Sequence, residues 1–139
     1  MKKADDLQIE YSWRGHATDA ELVALTNSHG GRPQPGWWDR IRPHGLGWVT
    51  ARLADGSLAG FVNVAWDGGD HAFLLDPKTR RDLQRRGIAT KVVQLAAIHA
   101  RKAGCEWLHV DFEDVLAPFY FHACGFRPTN AGLVHLLGL

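Results

Sequence analysis

The stretch QRRGIAT, residues 84–90, sets Arg85 and Arg86 against Gly87, Ala89 and Thr90 where a β-rich run gives way to a helical repeat. Those residue types suit the holding of an anion. A helix starting near Arg86 leaves its first four backbone N–H groups without intrahelical acceptors, and the aligned peptide dipoles add partial positive charge at that end. Gly87 and Ala89 keep side-chain bulk away so that diphosphate oxygens can approach the amides. Arg85 and Arg86 raise the local potential and Thr90 offers a hydroxyl. The same residues would also serve as a solvated basic helix start, so the corner needs its context.

That context is a strand before it and a long helix after it. HAFLLDPKT (71–79) reads as the strand, and from Arg86 to Ala103 the period changes. Ile88, Val92, Leu95 and His99 share one stripe, with Ala89, Val93, Ala96 and Ala100 beside it. Arg101 and Lys102 in the last turn complement the helix dipole before Gly104 ends it. Upstream, LQIEYSW (7–13) predicts a first strand. Thr18 or Asp19 then caps an amphipathic helix bearing Leu22, Val23 and Leu25, and PGWWDRIR (35–42) predicts a short second helix. LGWVTARLA (46–54), the turn DGS and LAGFVNVAW (58–66) form a β-hairpin that the turn DGGD extends into residues 71–79.

Downstream, CEWLHVDFE (105–113) predicts a fifth strand, VLAPFYFHAC (115–124) a short helix closed by Gly125, and GFRPTNAGLVHLLGL (125–139) a final hairpin around PTNAG. A strand, long helix and strand in succession imply a right-handed crossover between parallel strands. The fold class is α+β, a mixed and mainly antiparallel sheet with a central parallel β-α-β crossover and helices on both faces.

With 139 residues, 45% hydrophobic and 22% charged, the chain reads as one globular domain over 1–139. A net charge of +1 gives no global field to steer nucleic acid or a membrane, so any basic site is local. Two cysteines, Cys105 and Cys124, are too few for a disulfide framework or a zinc site. The start MKKADDLQIEYSW turns acidic where a secretion leader would be apolar, and no stretch approaches the ~18 apolar residues of a membrane span. Location in the cytoplasm is the expectation.

QRRGIA (84–89) fits the Q/R-x-x-G-x-G/A loop of the GCN5-related N-acetyltransferase (GNAT) family, between its fourth strand and long helix. Asp114-x-x-Ala117, Phe119-Tyr120 and Cys124-Gly125-Phe126 resemble the family's segment after the fifth strand. The resemblance runs from about Trp48 to the C-terminus. It implies an acyl-CoA N-acyltransferase-like fold with acetyl-CoA in a wedge between the two parallel strands. The pyrophosphate would lie on the amides of Arg85, Arg86, Gly87, Ile88, Ala89 and Thr90, beside Gln84, with pantetheine along Lys78, Thr79 and Arg80. Pro77 bears on this independently, because a proline within a strand marks an edge, a bulge or a place where pairing ends. Strands that splay apart provide such a place.

The resemblance also implies direct attack of an amine on the thioester within a ternary complex, and it assigns the proton donor to a tyrosine on the helix after the fifth strand. Counting four residues on from Ala117 lands on Phe121, whereas the phenol is at Tyr120. One position rotates a helical side chain by roughly 100°, so Tyr120 serves only if the helix begins irregularly, as Pro118 would permit. For the base, Asp76, Asp111 and Glu113 are candidates because the strand ends that carry them border the wedge, and Asp76 ranks first. Trp37 and Trp38 would by analogy lie beside the acceptor, or else anchor their short helix to the sheet. Eight histidines show no metal-ligand spacing, so no metal is expected.

Two rivals remain at this level. One is a CoA-binding or sensory domain with little catalysis, motivated by the displaced tyrosine. The other is nucleic-acid binding through KTRRDLQRRG (78–87), which lacks an interleaved aromatic platform and is set aside. The partners expected are acetyl-CoA and an amine, with no nucleic acid and no membrane. Exposed sheet edges leave room for a homodimer.

Overall fold

The computed structural model describes residues 7–139. The charged residues 1–6, on which the reading of the N-terminus rested, lie outside them. Five strands form one sheet in chain order: β1 (Ile9–Trp13), β2 (Gly47–Leu53), β3 (Leu58–Trp66), β4 (His71–Thr79) and β5 (Trp107–His109). The pairs β1–β2, β2–β3 and β3–β4 are antiparallel, and β4–β5 is parallel. Between β1 and β2 come helices α1 (Asp19–His29) and α2 (Trp37–Ile41), and α3 (Ile88–Lys102) makes the crossover from β4 to β5.

The central strand explains why helices cover both faces. Along β3 every residue from Leu58 to Val64 is buried, and the alternation of a strand sends neighbours to opposite sides. Val62 and Val64 join the larger core, which α3 closes with Ile88, Val92, Val93, Ala96 and Ala100. Phe61 and, across a register shift at Ala59, Leu58 face Leu22 and Leu25 of α1 and Trp38 of α2. Each aliphatic side chain buried in this way stabilises the fold by about 1.5–3 kcal/mol relative to exposure. The two cores together fix the sheet between its helices.

Thr18 starts α1 through a reciprocal cap. Its Oγ1 accepts from the Glu21 amide at 3.1 Å, and Glu21 Oε1 accepts from the Thr18 amide at 3.0 Å. The same carboxylate takes Arg52 of β2 in a two-pronged ion pair at 2.6 and 2.9 Å. α1 is thereby tied to the sheet at its first turn. Asp19 turns instead to the next helix, accepting from the amides of Gly36 at 2.7 Å and Trp38 at 3.0 Å.

Three expectations need correction, all around or beyond β5. The fifth strand spans only Trp107–His109 rather than 105–113, because β4 offers it three residues and then diverges. The short helix is a π-helix, Pro118–Ala123, in which the Cys124 amide donates to Phe119 O at 3.0 Å. The final hairpin is absent. Among the described residues no strand follows His109, and residues 127–139 hold only a 3-10 turn, Leu136–Gly138. Turn chemistry at PTNAG does not suffice, because an isolated two-stranded ribbon is marginal without a sheet to pair with. Leu133, Val134, Leu136, Leu137 and Leu139 are all exposed. No helix among the described residues is long and apolar enough to cross a membrane.

Candidate active site

β4 and β5 pair at His71–Trp107, Ala72–Leu108 and Phe73–His109 and nowhere beyond. β4 runs on to Thr79 without a strand on that side among the described residues. On its other side the register slips: Leu75 faces Asn63 and Lys78 faces Phe61, so Asp76 and Pro77 together stand opposite Val62. This is a β-bulge, which bends the strand locally, and pairing with β3 resumes at Lys78 and Thr79. Asp76 adopts φ 57°, a left-handed conformation uncommon for a residue with a side chain. Pro77 has no N–H to lose. Pro77 thus sits in a bulge of the β3–β4 pairing, whereas β4 and β5 have already parted after Phe73.

The unpaired half of β4 leads straight into the basic corner. A 3-10 turn, Arg81–Leu83, is followed by Arg85 at φ 64° and Gly87 at φ 83°, and α3 begins at Ile88. Lys91 is the first residue of the helix to bond backward, donating to Gly87 O at 3.2 Å. The amides of Gly87, Ile88, Ala89 and Thr90 have no backbone acceptor among the described residues, and no side chain caps this end. A Cβ on Gly87 would meet nothing within 4 Å. The glycine is thus required by its dihedral angle, not by packing, and the space before the amides is open. Buried Leu83 and Ile88 pin the loop from beneath.

Side chains of the neighbouring residues divide. Arg80 is held by Asp82 at 2.7 Å and reaches Ser57 Oγ at 3.3 Å, while its amide donates to Ala59 O at 2.8 Å and its carbonyl accepts from the Leu83 amide at 2.9 Å. Thr79 is buried and its carbonyl accepts from Gln84 Nε2 at 3.5 Å and contacts His29 Nδ1 at 3.3 Å. Lys78, opposite Phe61, points to the face covered by α1 and α2.

On that face lies a cleft of about 250 Å³ between α1, the loop after it, α2 and β4. Leu22, Thr26, Arg32, Trp37, Asp76 and Lys78 are among its walls. Lys78 Nζ stands 4.5 Å from the centre of the Trp37 ring. Burial pushes the Asp76 carboxyl above the ordinary carboxylate range and the Lys78 ammonium below its own, each effect partly offset by the charge of the other residue. Trp38 takes no part in the cleft surface. It is 0% exposed, edge-on to Trp48 and Phe61 at 5.0 and 5.1 Å, with its indole N–H on Ala17 O at 3.3 Å. Of the two tryptophans, Trp38 anchors the helix and Trp37 borders the cleft. Sequence reasoning missed Arg32 and the Lys78 side chain as cleft residues, because Arg32, Trp37 and Lys78 come from a loop, a helix and a strand that only the fold brings together.

Tyr120 is 2% exposed and stacks on Phe112 at 4.6 Å, with Phe119 and Phe126 edge-on. Burial pushes its phenol up to about 12. Phe121 is half-buried, edge-on to Phe112 at 5.3 Å. Asp111 and Glu113 are exposed.

The arrangement has counterparts. A GNAT-family acetyltransferase from Streptococcus pneumoniae matches with a TM-score of 0.76 at 17% identity, over 93% of this chain and 99% of that one. Glucosamine-6-phosphate N-acetyltransferase from Arabidopsis thaliana matches at 0.71 and 16% identity, over 92% and 97%. An aminoglycoside N-acetyltransferase in complex with CoA matches at 0.74 and 16% identity, over 93% and 94%. Among curated protein sequences there is no match. These likenesses establish the fold, and the model of the acetyltransferase (GNAT) family matches residues 11–126. Splayed parallel strands, an open amide corner and a family match across most of its length make this chain a member of the acetyltransferase (GNAT) family.

Proposed function

We propose that the chain is an acetyl-CoA-dependent N-acetyltransferase acting on a primary amine by direct attack in a ternary complex. The observation that carries this reading is the continuity of two unsatisfied backbones: the unpaired half of β4 runs into amides 87–90, which lack acceptors. Diphosphate on those amides and an extended pantetheine along β4 would satisfy both. The residues present fit such a co-substrate, because Gly87 leaves the approach open and no side chain caps the helix end by a hydrogen bond.

In the reaction the amine nitrogen attacks the thioester carbonyl carbon, a C–N bond forms and the C–S bond breaks. An N–H on the unpaired edge of β4 donates to the developing oxyanion, a role in which preorganised donors supply much of the rate. Asp76 takes the proton lost by the amine; its burial makes it a stronger base than an ordinary carboxylate. Tyr120 returns a proton to the departing thiolate. A phenol titrating at about 12 stays protonated throughout the neutral range.

Calorimetry with acetyl-CoA, followed by CoA release from a panel of amines, tests the reading. Heat on binding and amine-dependent release are expected. Tyr120→Phe should slow transfer by about 10²–10⁴-fold without loss of acetyl-CoA binding. The burial of Tyr120 among aromatic rings favours a second reading, a CoA-binding sensor with little catalysis. Saturable acetyl-CoA binding with no release from any amine would support it.

A further inference from the structure

The cleft beside Asp76 carries charge that the fold does not use. Asp19, on its wall, is committed to the amides of Gly36 and Trp38. Lys78 and Arg32 are not so committed: among the described residues neither has a carboxylate within 4 Å or a hydrogen bond, and the contact made by the Lys78 ammonium is the Trp37 ring. Asp76 attracts Lys78 through space but stands beyond ion-pair distance, and it too makes no hydrogen bond. A half-buried ammonium flat against an aromatic face, with an arginine at the mouth, is a place for an anionic group. The volume sets the size. About 250 Å³ gives room for a molecule of amino-acid size.

We infer that the acceptor is a small primary amine bearing a carboxylate, its carboxylate held by Lys78 and Arg32 and its amine directed to Asp76. The inference rests on the acetyltransferase reading for the identity of the amine, while the anion subsite stands on the cleft alone. In the free protein Trp37 shields the ammonium, and the ligand carboxylate completes its shell. Lys78 and Arg32 would then determine specificity without touching the reacting atoms.

A matched series tests this: an amino acid, its amide, and the amine left when its carboxylate is absent. Each is titrated calorimetrically into protein saturated with CoA, and each is assayed for acetyl-CoA-dependent CoA release. Acids with small and medium side chains serve as the skeletons. The acid should bind and turn over about 10- to 100-fold better than its amide and its decarboxylated amine, the factor expected for one charge-assisted contact. Lys78→Met keeps the stem against Trp37 and should erase the preference through KM, and Lys78→Glu should reverse it. Thermal melts report whether each variant is folded. Equal affinity for acid, amide and amine, no binding of any acid in the series, or a preference that survives Lys78→Met would overturn the inference. Selective binding of the acid without CoA release would leave the subsite standing and remove the catalytic reading instead.

Discussion

Two stretches of this chain do the same topological job and do it differently. Residues 80–87 lead from the parallel strand β4 into α3, and residues 110–117 lead from its partner β5 into the π-helix. The first presents backbone: left-handed residues at Arg85 and Gly87 turn amides outward, and the side chains beneath, Leu83 and Ile88, serve as pegs. The second presents side chains: Phe112, Phe119, Tyr120 and Phe126 close on one another around a helix of unusual pitch. A backbone site depends on local dihedral angles and survives changes of side chain, whereas an aromatic cluster is part of the core. The first corner should therefore lose binding when altered, and the second should lose the fold.

Tyr120→Ala breaks the comparison hardest. Removing a buried ring between three others should cost about 3–5 kcal/mol in denaturant unfolding, in the range of other aromatic truncations. A loss under about 1 kcal/mol would mean that the cluster is peripheral and the two corners are alike. Gly87→Val should do the converse. Forcing a β-branched residue to φ 83° shifts the helix start and misaligns one amide, weakening acetyl-CoA binding by about 10- to 100-fold in calorimetry. Unchanged affinity would remove the phosphates from this corner.

A smaller effect tests the tie between α1 and the sheet. Arg52 beside Glu21 holds that carboxyl down at about 2, below its ordinary 4.5. Because the folded value is depressed, its contribution is fully present above pH 4.5 and disappears as pH falls toward 2. Both partners are partly exposed, so Glu21→Gln should cost about 1–2 kcal/mol at pH 7 after solvent screening. The gap between variant and parent should close by pH 2 in acid melts, and a gap independent of pH would assign the effect to the helix cap alone.

The smallest expected change has the opposite sign. Burial raises the Asp76 carboxyl, so its contribution to stability is full below the unfolded value and is lost as pH rises through the folded one. At neutral pH the charged form is a burden on the fold. Asp76→Asn should melt slightly higher than the parent at pH 7 while acetyl transfer falls, the trade common at catalytic groups. A lower melting temperature would show that Lys78 stabilises the charge more than burial opposes it.

Legibility followed the range of the interactions. The bounds of β3 and β4 were readable from apolar, β-branched runs between turns, and α3 from a stripe that differs from Ile88–Lys102 by only two residues at its start and one at its end. The Thr18 cap was readable as well, although Asp19, its equal by residue type, proved to serve the next helix. The missing hairpin was not readable. PTNAG has proper turn residues, and what fails is the sheet edge beyond His109 that would have received the strands.

What the sequence by itself determined is the local chemistry: a glycine at a left-handed position, small residues at a helix start, a proline at a bulge in a strand. These act through the dihedral angles and hydrogen-bonding capacity of single residues, which are the same wherever the chain goes. Only the tertiary structure decided which way Tyr120 faces, that Trp38 is core while Trp37 is cleft, and that Lys78 lies over Trp37 with no carboxylate to meet it. Those outcomes depend on packing between elements distant in the chain, where a helix pitch or a one-residue bulge redirects a side chain that no local rule can aim.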